Sequence, residues 1–268
     1  MVKGKCCICG TVKDCAPYLD KVLNNIDKIS AIFDDYIIIF AYDNSSDNSL
    51  EILEKYRISN KKVIIDVNLD PLYNFREYNI AKARNKCLDI IRSQFVSYDY
   101  FIMIDCDDVS ISPVNLDPLQ YYLEDKQLSD WDALTFNKEI YYDLWALSKY
   151  PYSFSCFHFQ DYKAWGRFIE KVLYVAPPKK LISCFSAFNG FGIYKTNIFI
   201  NGFYDPSVRL DLLPKHLLEA TEKIAGPIFL SGKAGVIDCE HRSFHFMAIN
   251  KNNARIRIAP EIIFSNKI

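Results

Sequence analysis

The chain has no long apolar run. Its longest strongly apolar stretch is YIIIFAY, Tyr36 to Tyr42, far short of the roughly 20 residues that a membrane-spanning helix needs. The opening MVKGKCCICG carries neither a long apolar segment nor a small-residue cleavage site, so no secretory signal is expected. Charge of either sign is not in excess. With 32 Lys and Arg against 33 Asp and Glu, the formal net charge is −1, which gives no bulk attraction to nucleic acid or to an anionic membrane. Repeats, low-complexity tracts and obvious linkers are also lacking. A second C-x-x-C is missing too. Structural zinc usually takes two spaced pairs of ligands, so Cys6, Cys7 and Cys9 read as small buried thiols of a first strand. The nine cysteines, an odd number, are expected to be reduced thiols in a cytoplasmic compartment.

What is present suffices for a sizeable core. Half of the 268 residues are hydrophobic, enough for one large domain or two small ones. The first half alternates strand and helix patterns. KCCICGTV, DYIIIFAYD, KKVIIDVN and YDYFIMID read as strands, the second too continuous to be half-exposed. Between them lie helical patterns, from APYLDKVLNNIDKISAIF to FREYNIAKARNKCLDIIRSQF. Asn48 and Glu51 have capping-box spacing and predict a helix start near Asn48. Such alternation predicts an α/β fold, a mainly parallel sheet flanked by helices in the manner of nucleotide-binding folds. The second half is less regular. WDALTFN and GFGIYK are expected to extend the sheet and help build a smaller lobe.

One stretch raises a chemical question. YDYFIMIDCDDVSIS runs from a buried-strand pattern straight into Asp105, Asp107 and Asp108. Burying an unpaired carboxylate is costly, and like charges repel, so a cation belongs there. In extended chain Asp105 and Asp107 share a face, with Cys106 opposite. Two carboxylates beyond the end of a strand suit a hard dication, Mg²⁺ or Mn²⁺, with positions left for phosphate oxygens. An Asp-rich turn capping the next segment accounts for the pattern equally well. Helix spacing puts Arg84 between Ile80 and Leu88 on an inward stripe. There a guanidinium needs an anion, either a phosphate or one of these aspartates.

The segment IAKARNKCLDIIRSQFVSYDYFIMIDCDDV resembles the A-R-N…D-x-D stretch of glycosyltransferases with the GT-A fold, the nucleotide-diphospho-sugar transferase architecture. It is most similar to capsule-associated mannosyltransferase-like proteins and to glycosyltransferases of large DNA viruses. YYDLWALS, SCFSAFNGFGIYK and DCEHRSFHF resemble further segments of that group, in the same order. The resemblance implies one GT-A domain over residues 1–268, with a nucleotide-binding half (1–110) and an acceptor-side, catalytic half (111–268).

It also implies roles. Asp107 would be the principal metal ligand, and Asp105 would contact the ribose or the metal's water shell. A late histidine, His241 or else His245, would complete the site and favour Mn²⁺ over Mg²⁺, while Glu240 would support the metal or bind acceptor hydroxyls. Thr11, Val12 and Asp43 would hold the nucleoside, and Arg84 its phosphates or the aspartates. Gly190 and Gly192 would let backbone approach the donor sugar, and Tyr142 and Trp145 would face the acceptor. If the enzyme inverts, Asp143, Asp161 or Glu170 would be the general base.

The implied activity is metal-dependent transfer of a sugar from a nucleotide-sugar, with a UDP-sugar favoured, to a hydroxyl of a glycan or protein. GDP-mannose is the alternative donor. The viral resemblance would place the protein in an infected cell's cytoplasm or in a virion. Nucleotidyl transfer is a rival reaction on similar sheets. CGTVKD, however, has a single glycine where sugar-phosphate nucleotidyltransferases carry a glycine-rich, lysine-containing loop. A nucleotide-sugar-binding protein without catalysis is the third reading.

Overall fold

A computed structural model describes residues 2–70, 72–124, 126–150, 152–153, 162–228 and 236–265. The expected strands and helices of the first half form in order: β1 (Val2–Val12), α1 (Ala16–Ser30), β2 (Phe33–Asp43), α2 (Ser49–Ser59), β3 (Val63–Asn68), α3 (Arg76–Ile90) and β4 (Tyr100–Asp105). There follow α4 (Asp117–Tyr122), β5 (Ala133–Asn137), α5 (Tyr162–Val175), β6 (Ile182–Cys184), β7 (Phe191–Lys195), α6 (Thr196–Phe199), α7 (Lys215–Ala225), α8 (Glu240–Asn252) and β8 (Ile256–Ile262).

These strands form one eight-stranded sheet in the order β3-β2-β1-β4-β7-β5-β8-β6. The pairings β3–β2, β2–β1 and β1–β4 are parallel. Beyond β4 the sheet is mixed: β7 is antiparallel to both β4 and β5, β8 is parallel to β5, and β6 is antiparallel to β8. From β1 the chain runs to β2 on one side. After β3 it crosses to β4 on the other side of β1. The carboxyl ends of β1 and β4 thus flank the point where strand order reverses, where open α/β sheets form a ligand crevice.

Side-chain parity explains how the two faces are filled. On one face Cys6 and Ile8 of β1 and Ile102 and Ile104 of β4 pack with Leu19, Val22 and Ile26 of α1 and Leu53 of α2. On the other, Cys7 and Cys9 with Phe101 and Met103 pack with Ala81, Cys87 and Leu88 of α3 and Phe244 of α8. The thiols of β1 are therefore small core side chains with no exposure. Cys106 packs with Ile102 and Ile104. By the same alternation Asp105 and Asp107 fall on the side of α3 and α8.

Two local expectations are corrected. The helix after β2 starts where Asn48 predicts, but Asn48 makes no side-chain cap. Asp47 caps instead, its carboxylate accepting from the Ser49 N–H at 3.0 Å and from the Ala16 N–H of α1 at 2.9 Å. Helix α3 does not continue unbroken to Gln94. It widens into a π turn over Ile91–Phe95, where the Arg92 guanidinium reaches the carbonyls of Ile200 and Gly202. The two late histidines lie on α8. No described helix is long and apolar enough to cross a membrane.

Candidate active site

The carboxyl ends of β1, β2 and β4 open into a cavity of about 500 Å³. Its wall includes Thr11 and Val12 from the end of β1, Asp43 closing β2, Arg84 from α3, and Asp105 and Asp107. Parallel pairing sets Thr11 opposite Asp105, and Asp43 opposite Asn68, whose amide donates to the Asp43 carboxylate at 2.7 Å. A smaller cavity of about 130 Å³ shares Arg76, Ile80, Arg84, Asp105 and Asp107 with the first and is closed by Asp143, Glu240 and His241. Sequence segments 43, 105, 143 and 240 thus converge on one crevice.

The cation demanded by the aspartates is supplied in part by the protein. The Arg84 guanidinium donates to the Asp105 carboxylate at 2.9 Å through one nitrogen and to Glu240 through another, and lies 4.7 Å over the Phe188 ring. Burial alone would lower its pKa, but Glu240 and Asp105 outweigh burial and raise it. Arg84 is therefore a fixed positive charge in the floor of the crevice. Tyr142 donates to the second Asp105 oxygen at 3.1 Å. Burial, then Asp105, pushes its phenol well above the usual range, so it stays a donor.

Asp107 is less encumbered. It is extended, with φ −112° and ψ −160°, and accepts the Val109 N–H at 3.3 Å, capping the short 3₁₀ turn Asp108–Ser110. The turn cap anticipated from sequence and a place in the cavity wall therefore fall on one side chain. Burial first, then the charge of Asp105, raises its pKa to about 6. That unrelieved charge is what a dication would remove.

Three features of the crevice had no signal in the sequence pattern. The Lys138 ammonium donates to the Val109 carbonyl and sits 5.3 Å over the Tyr142 ring, bracing the aspartate turn. Arg76, the first residue of α3, borders both cavities. Phe188 stacks on His241 with 3.8 Å between ring centres. A lone Lys or Arg in a polar segment looks like any surface charge, and only the strand order brings these beside β4.

The other anticipated residues separate. Gly190 lies against the site: its carbonyl accepts the Asp105 N–H at 3.0 Å and its φ is +84°. Gly192 is a packing glycine in β7, where a Cβ would stand 2.7 Å from the Tyr194 hydroxyl. Asp143 borders the small cavity, its carboxylate accepting the backbone N–H groups of Ala146 at 3.1 Å and Asn189 at 3.3 Å. Burial raises its pKa to about 6. Glu170 lines a different cavity with Lys138 and Arg167, so the structure does not bring it to the aspartates. Asp161 lies outside the described residues. Trp145 also borders the small cavity. His241 does so as well. It is fully buried, and neither ring nitrogen has a hydrogen-bond partner. Burial, Arg84 and His245 hold it neutral. The structure places His245 in the aromatic core, between Ser186 at 2.9 Å and Tyr194 at 3.3 Å. It lines neither cavity at the aspartates.

Among the described residues no group of three or more His, Cys, Asp and Glu is arranged to hold a metal unaided. Two carboxylates on one wall nonetheless fit a Mg²⁺- or Mn²⁺-type ion. Such an ion binds through one or two carboxylates and takes its remaining oxygens from substrate phosphate and water.

A reversal-point crevice lined by paired aspartates, on a sheet with helices over both faces, defines the GT-A architecture. A profile of the family Glycosyl transferase family 2 matches residues 7–162, more than half of the chain. The chain belongs to glycosyl transferase family 2. Its fold is similar to that of S. aureus TarS, over 97% of this chain and 36% of that protein, at 13% identity and a TM-score of 0.50. The TarS 1–349 fragment in complex with UDP-GlcNAc aligns over 97% of this chain and 57% of the fragment, at 14% identity and a TM-score of 0.49. The mannosyltransferase PcManGT of Pyrobaculum calidifontis, in complex with GDP-Man and Mn²⁺, aligns over 76% of this chain and 48% of its own, at 12% identity and a TM-score of 0.43. The chain thus spans well under two thirds of each. No curated protein matches it significantly.

Proposed function

We propose that the chain is a metal-dependent glycosyltransferase that moves a sugar from a nucleotide-sugar, a UDP-sugar in the first instance, to a hydroxyl of a glycan or protein. The observation that carries this reading is the convergence of Asp105 and Asp107 with Thr11, Val12 and Asp43 around one cavity of about 500 Å³. Its size suits a nucleotide. Family membership and the resemblance of four ordered segments to capsule-associated and viral enzymes support the same reading.

The geometry supports the following division of labour. Both oxygens of Asp105 are held, by Arg84 and Tyr142, so Asp105 serves as a fixed wall. Asp107 is the principal metal ligand. The dication shared between Asp107 and the donor diphosphate would act as a Lewis acid on the charge of the departing nucleoside diphosphate. Thr11 and Val12 offer backbone groups to the base, and Asp43 a carboxylate to base or ribose. Asp143 is the best-placed general base: it borders the small cavity, and a pKa of about 6 leaves it ionised, and still basic, at neutral pH. His241, neutral and unpartnered beside it, offers a donor or acceptor to a sugar hydroxyl or to the metal.

A thermal-shift screen of UDP- and GDP-sugars with and without Mn²⁺ tests the proposal, because a ligand that binds only the folded state raises the melting point by mass action. A Mn²⁺-dependent shift with one nucleotide, followed by release of nucleoside diphosphate on incubation, supports it. Pyrophosphate chemistry with a nucleoside triphosphate, or no shift with any nucleotide-sugar, overturns it.

A further inference from the structure

We infer that Arg76, and not Arg84, is the guanidinium that grips the donor's diphosphate; the inference rests on the donor-site reading above. Three cationic side chains, Lys13, Arg76 and Arg84, line the large cavity among the described residues. Two are already engaged. The Lys13 ammonium is paired with Asp14. Arg84 is 4% exposed, with one terminal nitrogen on Asp105 and the other on Glu240. With both terminal nitrogens committed and Nε buried, Arg84 offers no exposed pair of parallel N–H groups to a phosphate. Its charge is also shared between two carboxylates.

Arg76 differs on each count. It is exposed and makes no ion pair among those of the described residues. It stands on the wall shared by the two cavities, both of which Asp107 also lines. Arg76 lies near enough for its charge to act on both Asp107 and Glu240, although burial, the largest cause, holds the pKa of each above its ordinary value. It opens the 15-residue helix α3, whose N-terminus has no side-chain cap, so the helix dipole adds to the positive field there. The small cavity beside it contains His241, 1% exposed with both ring nitrogens unpartnered. A buried polar group without a partner on the same wall points to a ligand rich in oxygen. A nucleoside diphosphate seated between Asp107 and Arg76 would meet a shared dication on one side and a bidentate guanidinium on the other. Arg76 would then share the leaving group's negative charge as the glycosidic bond to the donor breaks.

Isothermal titration of UDP, GDP and uridine into wild type, Arg76→Ala and Arg76→Lys, with Mn²⁺ present, tests the inference. Arg76→Ala is expected to weaken diphosphate binding at least tenfold and to leave uridine binding unchanged. Arg76→Lys is expected to recover part of the loss, since lysine keeps the charge without the fork. The position is exposed, and an unchanged melting temperature confirms that the variant folds. Equal losses for UDP and uridine, or no loss at all, overturn the assignment while the donor site stands. Wild type that binds neither UDP nor GDP overturns the donor-site reading and this inference with it.

Discussion

Arg84 of α3 and Glu240 of α8 stand 156 positions apart in sequence and form a buried hydrogen-bonded ion pair beneath the aspartate turn. The pair joins the nucleotide-side helix to the late C-E-H segment, and through Asp105 to the end of β4. Removing one partner leaves the other buried and uncompensated. Arg84→Met is therefore expected to cost about 3–5 kcal/mol. The double variant Arg84→Met, Glu240→Leu is expected to regain much of that loss. Urea unfolding of both single variants and the double measures the coupling. A double variant whose loss equals the sum of the singles would show that the pair is not coupled.

On the proposed reading, Asp107 serves the metal site at the expense of the metal-free fold. Its charge is opposed by burial and by Asp105. Asp107→Asn is expected to raise the melting temperature of the metal-free protein slightly. The same change should lower glycosyl transfer by roughly 100-fold or more, as expected for loss of charge stabilisation at a leaving group. It should also abolish the Mn²⁺-dependent shift. Retained, Mn²⁺-dependent transfer in this variant would remove Asp107 from the metal site.

The pH dependence of stability has a definite sign. Asp107 and Asp143 both titrate near 6 in the fold, against an ordinary value of 3.8. Between those values the folded chain binds more protons than the unfolded one, so their contribution is complete below about pH 4 and is lost as pH rises through 6. Asp14 and Asp132, held near 2 by Lys13 and by Arg255 against the opposing effect of burial, act oppositely and lose their contribution as pH falls below 4. In denaturant melts from pH 4 to 8, metal-free wild type should lose stability with rising pH more steeply than Asp107→Asn, so that the two agree near pH 4 and diverge above about pH 6. Mn²⁺-dependent stabilisation with UDP should weaken below about pH 6, where protons compete for Asp107.

Gly190 carries a φ of +84°, and a Cβ there would stand 3.0 Å from both the Tyr142 hydroxyl and Val109 Cγ2. Gly190→Ala is expected to cost about 1–3 kcal/mol in backbone strain. It should also weaken activity, because both crowded groups brace the aspartate turn. Unfolding and transfer assays on one preparation check both effects. An alanine variant with unaltered stability would contradict the conformation described.

Eight of the nine cysteines in the sequence are buried free thiols, and Cys156 lies outside the described residues. Burial raises the thiol pKa of Cys6, Cys7 and Cys9. The eight should react with a thiol reagent only on unfolding. Rapid native-state labelling of Cys6, Cys7 or Cys9, resolved by peptide mapping, would refute the packing of β1.

The first half was legible because its signals are local. Continuous apolar strands, amphipathic α1 and a carboxylate-rich strand end need no knowledge of distant residues. Helix α8 was not legible. Glu240 through Phe246 are buried almost all round, so no polar stripe marks a period, and a polar-looking EHRSFH concealed a core helix. Glu170 was misplaced for the opposite reason. Its carboxylate is of a suitable type, but α5 turns it toward a separate cavity.

By itself the sequence determined the alternation of strand and helix, the carboxyl-end position of Asp105 and Asp107, and the need for a counter-charge, because periodicity and desolvation act on neighbouring residues. Only the tertiary structure decided which charges answer that need. The crossing of the chain from β3 to β4 carries α3 onto the face where α8 also packs. It thereby commits Arg84 to Glu240 and Asp105, leaves Arg76 free at the crevice wall, and sets Lys138 behind the turn. Pairings over more than a hundred residues depend on strand order, which no local pattern encodes.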